Sequence, residues 1–255
     1  MAPRIVSLAE AAAIIPDGAT LSLGGFTTQR HPMAVVYELV RLRRKNLYLF
    51  GHSPGSDWDL LIGAGCVKRV ELAYEADEAF GTIGPRWRLA VQRRQIEWED
   101  YSNFAMVARF AAGAMGLPFM PVRSLLGSDV LAKQALSAEA RAGDPRTSPL
   151  KLKVMESPFK AGDRVVLVPA INTEFAVIHV QRASASGIVH RRSVLCRRAT
   201  SPVRANGHRH VRRTSLGGIS AQGAGAQSDP AFCRSVCVSG SLGCASLCRI
   251  QLLRL

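Results

Sequence analysis

The chain has 255 residues, 47% of them hydrophobic, and a formal net charge of +14. The apolar share is enough for a packed core and excludes a wholly disordered chain. The charge would suggest nucleic acid or an acidic membrane surface, but residues 191–255 hold eleven arginines against one acid, Asp229, so +10 of the +14 lies in that tail. Residues 1–190 are only mildly basic, and neither a nucleic-acid nor a membrane partner is expected of them. Cysteine divides the same way, with Cys66 alone before residue 190 and Cys196, Cys233, Cys237, Cys244 and Cys248 after it. Glu10 interrupts the apolar start, which excludes a secretory signal, and no apolar run is long enough to span a bilayer. A reducing, cytoplasmic setting without disulfides is the expectation.

In chain order, Ser7-Leu8-Ala9-Glu10 has the form of a capping box, and a short helix should follow to Ile15. Pro16-Asp17-Gly18 is a turn, and residues 20–23 alternate as a strand should. Pro32 suits a first helical position, and Met33, Val36, Tyr37 and Val40 fall on one helical face. Arg41, Arg43, Arg44 and Lys45 place favourable charge at that helix's C-terminus, a simpler reading than a phosphate site. Residues 47–50 form a second strand, followed by the loop GHSPGSDWD, in which Asp57 can cap a helix. VKRVELAY is a third strand, PRWRLAVQRRQ a helix and IEWEDY a short extended piece. Ser102 can cap FAMVARFAAGAM, which is apolar nearly all round and therefore expected to be buried. LPFMPV is extended and suits an edge, residues 131–160 read as a long surface excursion, and RVVLVP and FAVIHV are runs of the kind buried in parallel sheets. Strands alternating with helices indicate an α/β fold with an open, mostly parallel sheet and helices on both faces. Such sheets bind ligands beyond the carboxyl ends of their strands, where Gly24-Gly25 and residues 51–55 would lie.

A glycine pair at a strand end is costly unless the chain must turn sharply or approach something closely. Asp17-Gly18, Gly24-Gly25-Phe26 and Pro32 together resemble the signature of family I coenzyme A transferases, alpha subunit. Gly24-Gly25-Phe26-Thr27-Thr28 with a basic residue before proline is most similar to the glutaconate CoA-transferase A subunits. GSDWDLLIGAG, WEDYS, GLPFMPV, SPFKAGDRVVLVPA and AVIHVQRAS continue the resemblance in order over residues 5–187. Ser22 and Arg30 depart from it, standing where an apolar residue and glycine are usual.

The resemblance implies transfer of CoA from an acyl-CoA to a short dicarboxylic or 3-oxo acid. In two-chain members a beta-subunit glutamate attacks the thioester, so this chain would supply no nucleophile. CoA would be a substrate, with no permanently bound cofactor and no metal, and the implied partner is a beta subunit in a hetero-oligomer. Gly24 and Gly25 would let main-chain N–H groups face the developing oxyanion, beside Phe26. Thr27, Thr28 and Gln29 can hydrogen-bond substrate, and Arg30 can pair with the distal carboxylate of a diacid. The alternative is that the glycines only turn the strand into the next helix. Ser53, Gly55 and Ser56 form a second candidate loop; His52 reads as an ordinary loop residue. Glu97, Glu99 and Asp100 read as a solvated acidic cluster. In the related ring-cleaving CoA-ester hydrolases an alpha-chain acid in this region acts, and on that alternative Glu97 or Glu99 is the general base. His179 and Cys66 read as structural.

After Gly187 the resemblance stops. The family would continue with further strands, so the fold is expected to be incomplete at the C-terminus, with a transferase-like domain over 1–187 and an unrelated tail over 188–255. The tail loses Lys, acids and aromatics and gains Arg, Ser, Gly and Cys, as a shifted reading frame of GC-rich DNA does. It is read as a frameshift product without regular structure, and an inactive truncated remnant is the third reading of the chain. Cys233-x3-Cys237 and Cys244-x3-Cys248 have ligand-like spacing but no histidine or aromatic framework, which weakens a zinc reading.

Overall fold

The computed structural model describes residues 4–78, 81, 83–180, 182–183, 189–190, 234–239 and 249–254. Strand β1 (Arg4–Val6) leads into α1 (Leu8–Ala13), whose capping box is present: Ser7 accepts from the Glu10 N–H and Glu10 reaches back. There follow β2 (Thr20–Leu23), α2 (Met33–Arg41), β3 (Leu47–Phe50), α3 (Ser56–Gly63), β4 (Val67–Leu72), α4 (Pro85–Gln92), β5 (Glu97–Asp100) and α5 (Asn103–Ala114). Then come β6 (Phe119–Val122), α6 (Asp129–Ala132), α7 (Ala138–Ala142), β7 (Lys153–Glu156), β8 (Arg164–Pro169) and β9 (Phe175–Val180). Short strands β10 (Arg182–Ala183) and β11 (Val189–His190) pair with each other, and the tail contributes β12 (Arg234–Ser239) and β13 (Arg249–Arg254).

The main sheet runs β1-β12-β13-β9-β2-β3-β4-β5. Strands β9, β2, β3, β4 and β5 are mutually parallel, and β13 joins β9 antiparallel. Helices α1 to α4 cover one face through Ala11, Val36, Leu39, Trp58, Leu61 and Ala90, packed on Leu21, Leu49, Val70 and Val177 of the strands. The other face carries α5 and a three-stranded antiparallel sheet of order β6-β8-β7, meeting at Tyr48, Phe50, Met106, Val166 and Val168. This is the α/β architecture expected, with helices on both faces.

Four local expectations change. RVVLVP does not enter the parallel sheet but forms the centre of the small antiparallel one, where its buried residues alternate. Residues 131–160 are not a mere surface excursion, because Arg141 and Lys151 within them are almost fully buried against β5. Helix α5 buries only one face, leaving Phe104, Val107 and Met115 exposed. Pro32 is the N-cap of α2, one position before the helix proper. LPFMPV, in contrast, provides the expected edge strand, β6. Cys66 is buried as expected.

The tail segments β12 and β13 fill the gap between β1 and β9 in the sheet. The end of the family-like AVIHVQRAS run lies partly outside the described residues, as do Cys233, Cys244 and Cys248 of the zinc reading. Among the described residues no helix is long and apolar enough to cross a membrane.

Candidate functional site

Because β2, β3, β4 and β5 are parallel, the segments that leave their carboxyl ends collect at one edge of the sheet. Residues 24–32 follow β2, residues 51–55 follow β3, residues 73–84 follow β4, and Tyr101 and Ser102 lead from β5 into α5. The first two loops are locked together. Thr27 donates its N–H to the Ser53 carbonyl at 2.9 Å, and a Cβ on Gly55 would collide with the Thr27 carbonyl oxygen, so only glycine fits there. Phe26 and Gln29 exchange backbone hydrogen bonds at 2.9 Å across a tight turn centred on Thr27 and Thr28. Thr27 has φ 47° and Arg30 φ 66°, left-handed values that are uncommon for non-glycine residues and strained for a β-branched one. Strain of this kind persists only where surrounding contacts impose it.

His31 supplies those contacts. Its Nε2 lies 2.7 Å from the Thr27 carbonyl oxygen and its Nδ1 lies 2.9 Å from Asp57 Oδ2, with both side chains almost fully buried. Gly25, at φ 153°, has no Cβ to overlap the imidazole, so the ring occupies the space a side chain would need. Burial works against a charge on His31, but Asp57, the Thr27 carbonyl and the charge of Asp77 outweigh it and leave the pKa raised. Asp57 accordingly does not cap α3. Gly55 is the N-cap, and Asp57 accepts the Gly55 N–H at 3.1 Å with one oxygen while facing His31 with the other. Ser53 is buried, 2.7 Å from His52 Nδ1, and donates to Asn103 Oδ1 at 3.2 Å, which ties the second loop to the start of α5. Burial lowers the pKa of His52, keeping that ring neutral at ordinary pH, and its ring centroid is 5.9 Å from that of Phe26.

The expected residues therefore divide by role. Gly25, Phe26 and Thr28 are exposed at this edge and available to a ligand, Ser56 is exposed with its hydroxyl donated to Asp77, and Thr27, Ser53 and Gly55 are buried and hold the loops in place. Gly24 and Gly25 separate too. The Gly24 N–H donates to the Val177 carbonyl at 2.7 Å and is consumed by the sheet, while the Gly25 amide donates to no group among the described residues. Arg30 is half-buried and engaged. Sequence reasoning did not single out Asp77, which hydrogen-bonds Ser56, or Asn103, or the His31–Asp57 pair. A histidine just before a helix-opening proline is visible in the sequence, but its partner 26 positions away is not.

Beside this junction a cleft of about 440 Å³ is lined by Ser56, Asp59, Asp77, Ile83, Gly84 and Arg86. Its wall is carboxylate-rich. Asp59 accepts from the N–H groups of Arg86 and Trp87 at the start of α4, at 2.8 and 2.9 Å, and pairs with the Arg86 guanidinium. Behind it Glu75 is buried and accepts the Gly84 N–H at 2.8 Å; burial pushes its pKa up to about 7 against that bond, with Asp59, Asp57 and Asp77 adding to the rise. Among the described residues no group of three or more His, Cys, Asp or Glu side chains is arranged to hold a metal ion.

Glu99 does not belong to a solvated cluster, whereas the Glu97 and Asp100 side chains stay 36% and 34% exposed. Glu97 and Glu99 lie in β5 on the sheet face turned toward α5 and residues 131–151. Glu97 pairs with Arg69 at 2.5 Å, and the fully buried Glu99 is engaged by Arg141, by Lys151 at 3.1 Å and by the Ala135 N–H at 3.2 Å. Two cations hold Glu99 as a structural anion beneath a covering segment, three strands away from β2. This is a poor setting for a general base, which must reach a substrate proton.

The coenzyme A transferase family model matches residues 5–196. Over 187 residues the chain is 36% identical to the glutaconate CoA-transferase A subunit of Acidaminococcus fermentans, covering 73% of this chain and 58% of that protein. It is 32% identical to the 3-oxoadipate CoA-transferase A subunit of Pseudomonas knackmussii, covering 69% and 57% respectively. The crystal structure of glutaconate coenzyme A-transferase from Acidaminococcus fermentans superposes with a TM-score of 0.71 at 35% identity, over 74% of this chain and 60% of that one. The chain thus spans under two thirds of the length of these relatives. With a matched model over most of its residues and a fold shared with a solved transferase, which brings the paired glycine loops to one sheet edge, the chain belongs to the coenzyme A transferase family.

Proposed function

We propose that this chain is the alpha-type half of a cytoplasmic, two-chain CoA-transferase, acting on an acyl-CoA and a short dicarboxylic or 3-oxo acid, with the attacking glutamate supplied by a beta subunit. The observation that carries this reading is the exposed Gly25 amide, unspent in the sheet and rigidly presented by the interlocked loops at the carboxyl edge of a parallel sheet. Attack of a carboxylate on the thioester carbonyl carbon gives a tetrahedral oxyanion. Its collapse breaks the C–S bond, releases the CoA thiolate and leaves an acyl-glutamyl anhydride; thiolate attack on the glutamyl carbonyl of the anhydride then releases the first acid and leaves the glutamyl-CoA thioester. Gly25 N–H stands ready for the oxyanion, and Thr28 is exposed on the same loop for substrate oxygens. Of the carboxylates near this edge, Asp57 is paired with His31, while Asp77 and Glu78 each accept from a hydroxyl, of Ser56 and Tyr74. The assignment of the nucleophile to another chain rests on the family resemblance.

The test is co-expression with a beta subunit of this family and measurement of CoA transfer from an acyl-CoA to glutaconate, 3-oxoadipate or acetate. Transfer by the pair and none by either chain alone is the expected result. Gly25→Ala keeps the N–H but brings a methyl group onto the His31 ring and so displaces the amide, which should lower kcat by up to about 10²–10³-fold, as misdirection of one oxyanion donor would. A soluble pair that hydrolyses the thioester without transfer would replace this reading with the hydrolase one; failure to form any pair would favour the inactive remnant. We also propose that residues from 188 onward are a frameshift product. The coding DNA read in its other two frames past codon 187 should then regain family-like strands and helices.

A further inference from the structure

We propose that His31 is held as an imidazolium clamped between Asp57 and the Thr27 carbonyl, and that this charged clamp is the positioning residue that aims the Gly25 amide. The second half rests on the transferase reading; the first stands on the geometry of the loops alone.

Both ring nitrogens face groups that can only accept. Nε2 is hydrogen-bonded to a carbonyl oxygen at 2.7 Å, and Nδ1 lies 2.9 Å from a carboxylate oxygen in ion-pair contact without hydrogen-bond alignment, in surroundings where both side chains are at most 5% exposed. A neutral imidazole has one N–H and one lone pair. Either tautomer would turn a lone pair against an oxygen, toward Asp57 or toward Thr27, with little water to intervene. Only the doubly protonated ring serves both. The charged groups that act on it are Asp57 from α3 and Asp77 from the segment after β4; their sign favours the cation, and His52 nearby is neutral.

The ring also fixes everything around it. It fills the volume left by the missing Gly25 side chain, and it holds the carbonyl of Thr27, the residue in the strained left-handed conformation. The other side of that carbonyl is pressed on Gly55, whose N–H is in turn held by Asp57. Asp57, His31, Thr27 and Gly55 thus form a closed circuit, and Gly25 sits on its outer surface. Loss of the proton would remove either the ion pair with Asp57 or the hydrogen bond to Thr27 and let the Thr27 turn relax, moving the Gly25 amide. A misplacement near 1 Å can cost about 10²-fold in rate.

The sign of the pH effect follows. The folded-state pKa is raised, so the clamp is fully present below the ordinary histidine value and is lost as pH rises through the raised one. In the full chain labelled with 15N-histidine, one of the six histidines should carry protons on both nitrogens at a pH where the others are neutral. That signal should be absent from His31→Gln. If the signal removed by His31→Gln is a neutral ring at pH 7, the clamp does not exist as described. In the reconstituted pair, His31→Gln should lower kcat by about 10²-fold with little change in KM. His31→Lys, whose ammonium beside Asp57 and Asp77 stays charged above the histidine range, should restore most of kcat and shift the alkaline limb of its pH profile upward. A His31→Lys profile that falls at the native pH, or a His31→Gln enzyme with native kcat, would overturn the positioning role. Absence of transfer with any beta subunit would defeat the transferase reading, and with it the aiming role, while the labelled-histidine titration still decides the clamp.

Discussion

Glu75 shows how a single buried group writes itself into stability. It sits just past β4 with one oxygen on the Gly84 N–H, and burial pushes its pKa from 4.5 up to about 7. Between those two values the unfolded chain gives up its proton while the folded chain keeps it. Stability therefore falls as pH rises from about 4.5 to about 7 and levels off above that. Glu75→Gln keeps an acceptor for Gly84 and removes the ionisation. It should raise the urea midpoint at pH 8, by at most about 3 kcal/mol of unfolding free energy, and leave it unchanged near pH 4. Equal differences at the two pH values would refute this account. Neither Glu75 nor the His31–Asp57 pair announces itself locally: each acquires its character from groups brought near by the packing of α3, α4 and the post-β4 segment.

At the scale of elements, the face of β3, β4 and β5 turned toward α5 carries a cross-strand ladder of aromatic and charged side chains. Tyr48, Arg69 and Glu97 stand opposite one another, as do Phe50, Glu71 and Glu99. Arg109 of α5 closes it, pairing with Glu71 at 2.7 Å and lying 4.1 Å over the Tyr101 ring. From the segment between β6 and β7, Arg141 and Lys151 reach down onto Glu99. Glu99→Gln leaves those two buried cations short of a counter-charge and should cost about 3–5 kcal/mol in urea unfolding. Loss of activity without loss of stability would instead make Glu99 a reacting group. The acidic residues of IEWEDY are plain in the sequence, yet they suggest a solvated cluster. The covering segment begins about thirty residues later, and local periodicity carries no information about it.

For the whole molecule, the resemblance to the family ends near residue 187, yet β12 and β13 complete the sheet between β1 and β9. Ending the chain after residue 190 would strip β9 of its antiparallel neighbour and leave β1 without a partner. Exposed ladder groups on a sheet edge invite association. Such a truncated chain should elute as soluble aggregates in size-exclusion chromatography with light scattering, and a monodisperse truncated chain would show that the tail strands contribute little. The relation between the edges also explains why RVVLVP left the parallel sheet. It pairs with β6 and β7 on both sides, and the parallel position beside β2 is taken by FAVIHV.

The sequence by itself determined the capping box of α1, the alternation of helices and strands, the α/β class, and the two glycine loops at strand ends. These depend on contacts a few residues apart or on what a glycine backbone alone can do. Only the tertiary structure decided that Gly24 spends its amide on Val177 while Gly25 does not, that Asp57 answers His31 rather than capping its helix, and that Glu99 is pinned beneath Arg141 and Lys151 while Glu97 pairs with Arg69. Each of those outcomes joins residues distant along the chain, and a charge or an amide takes its role from the partner that folding sets beside it.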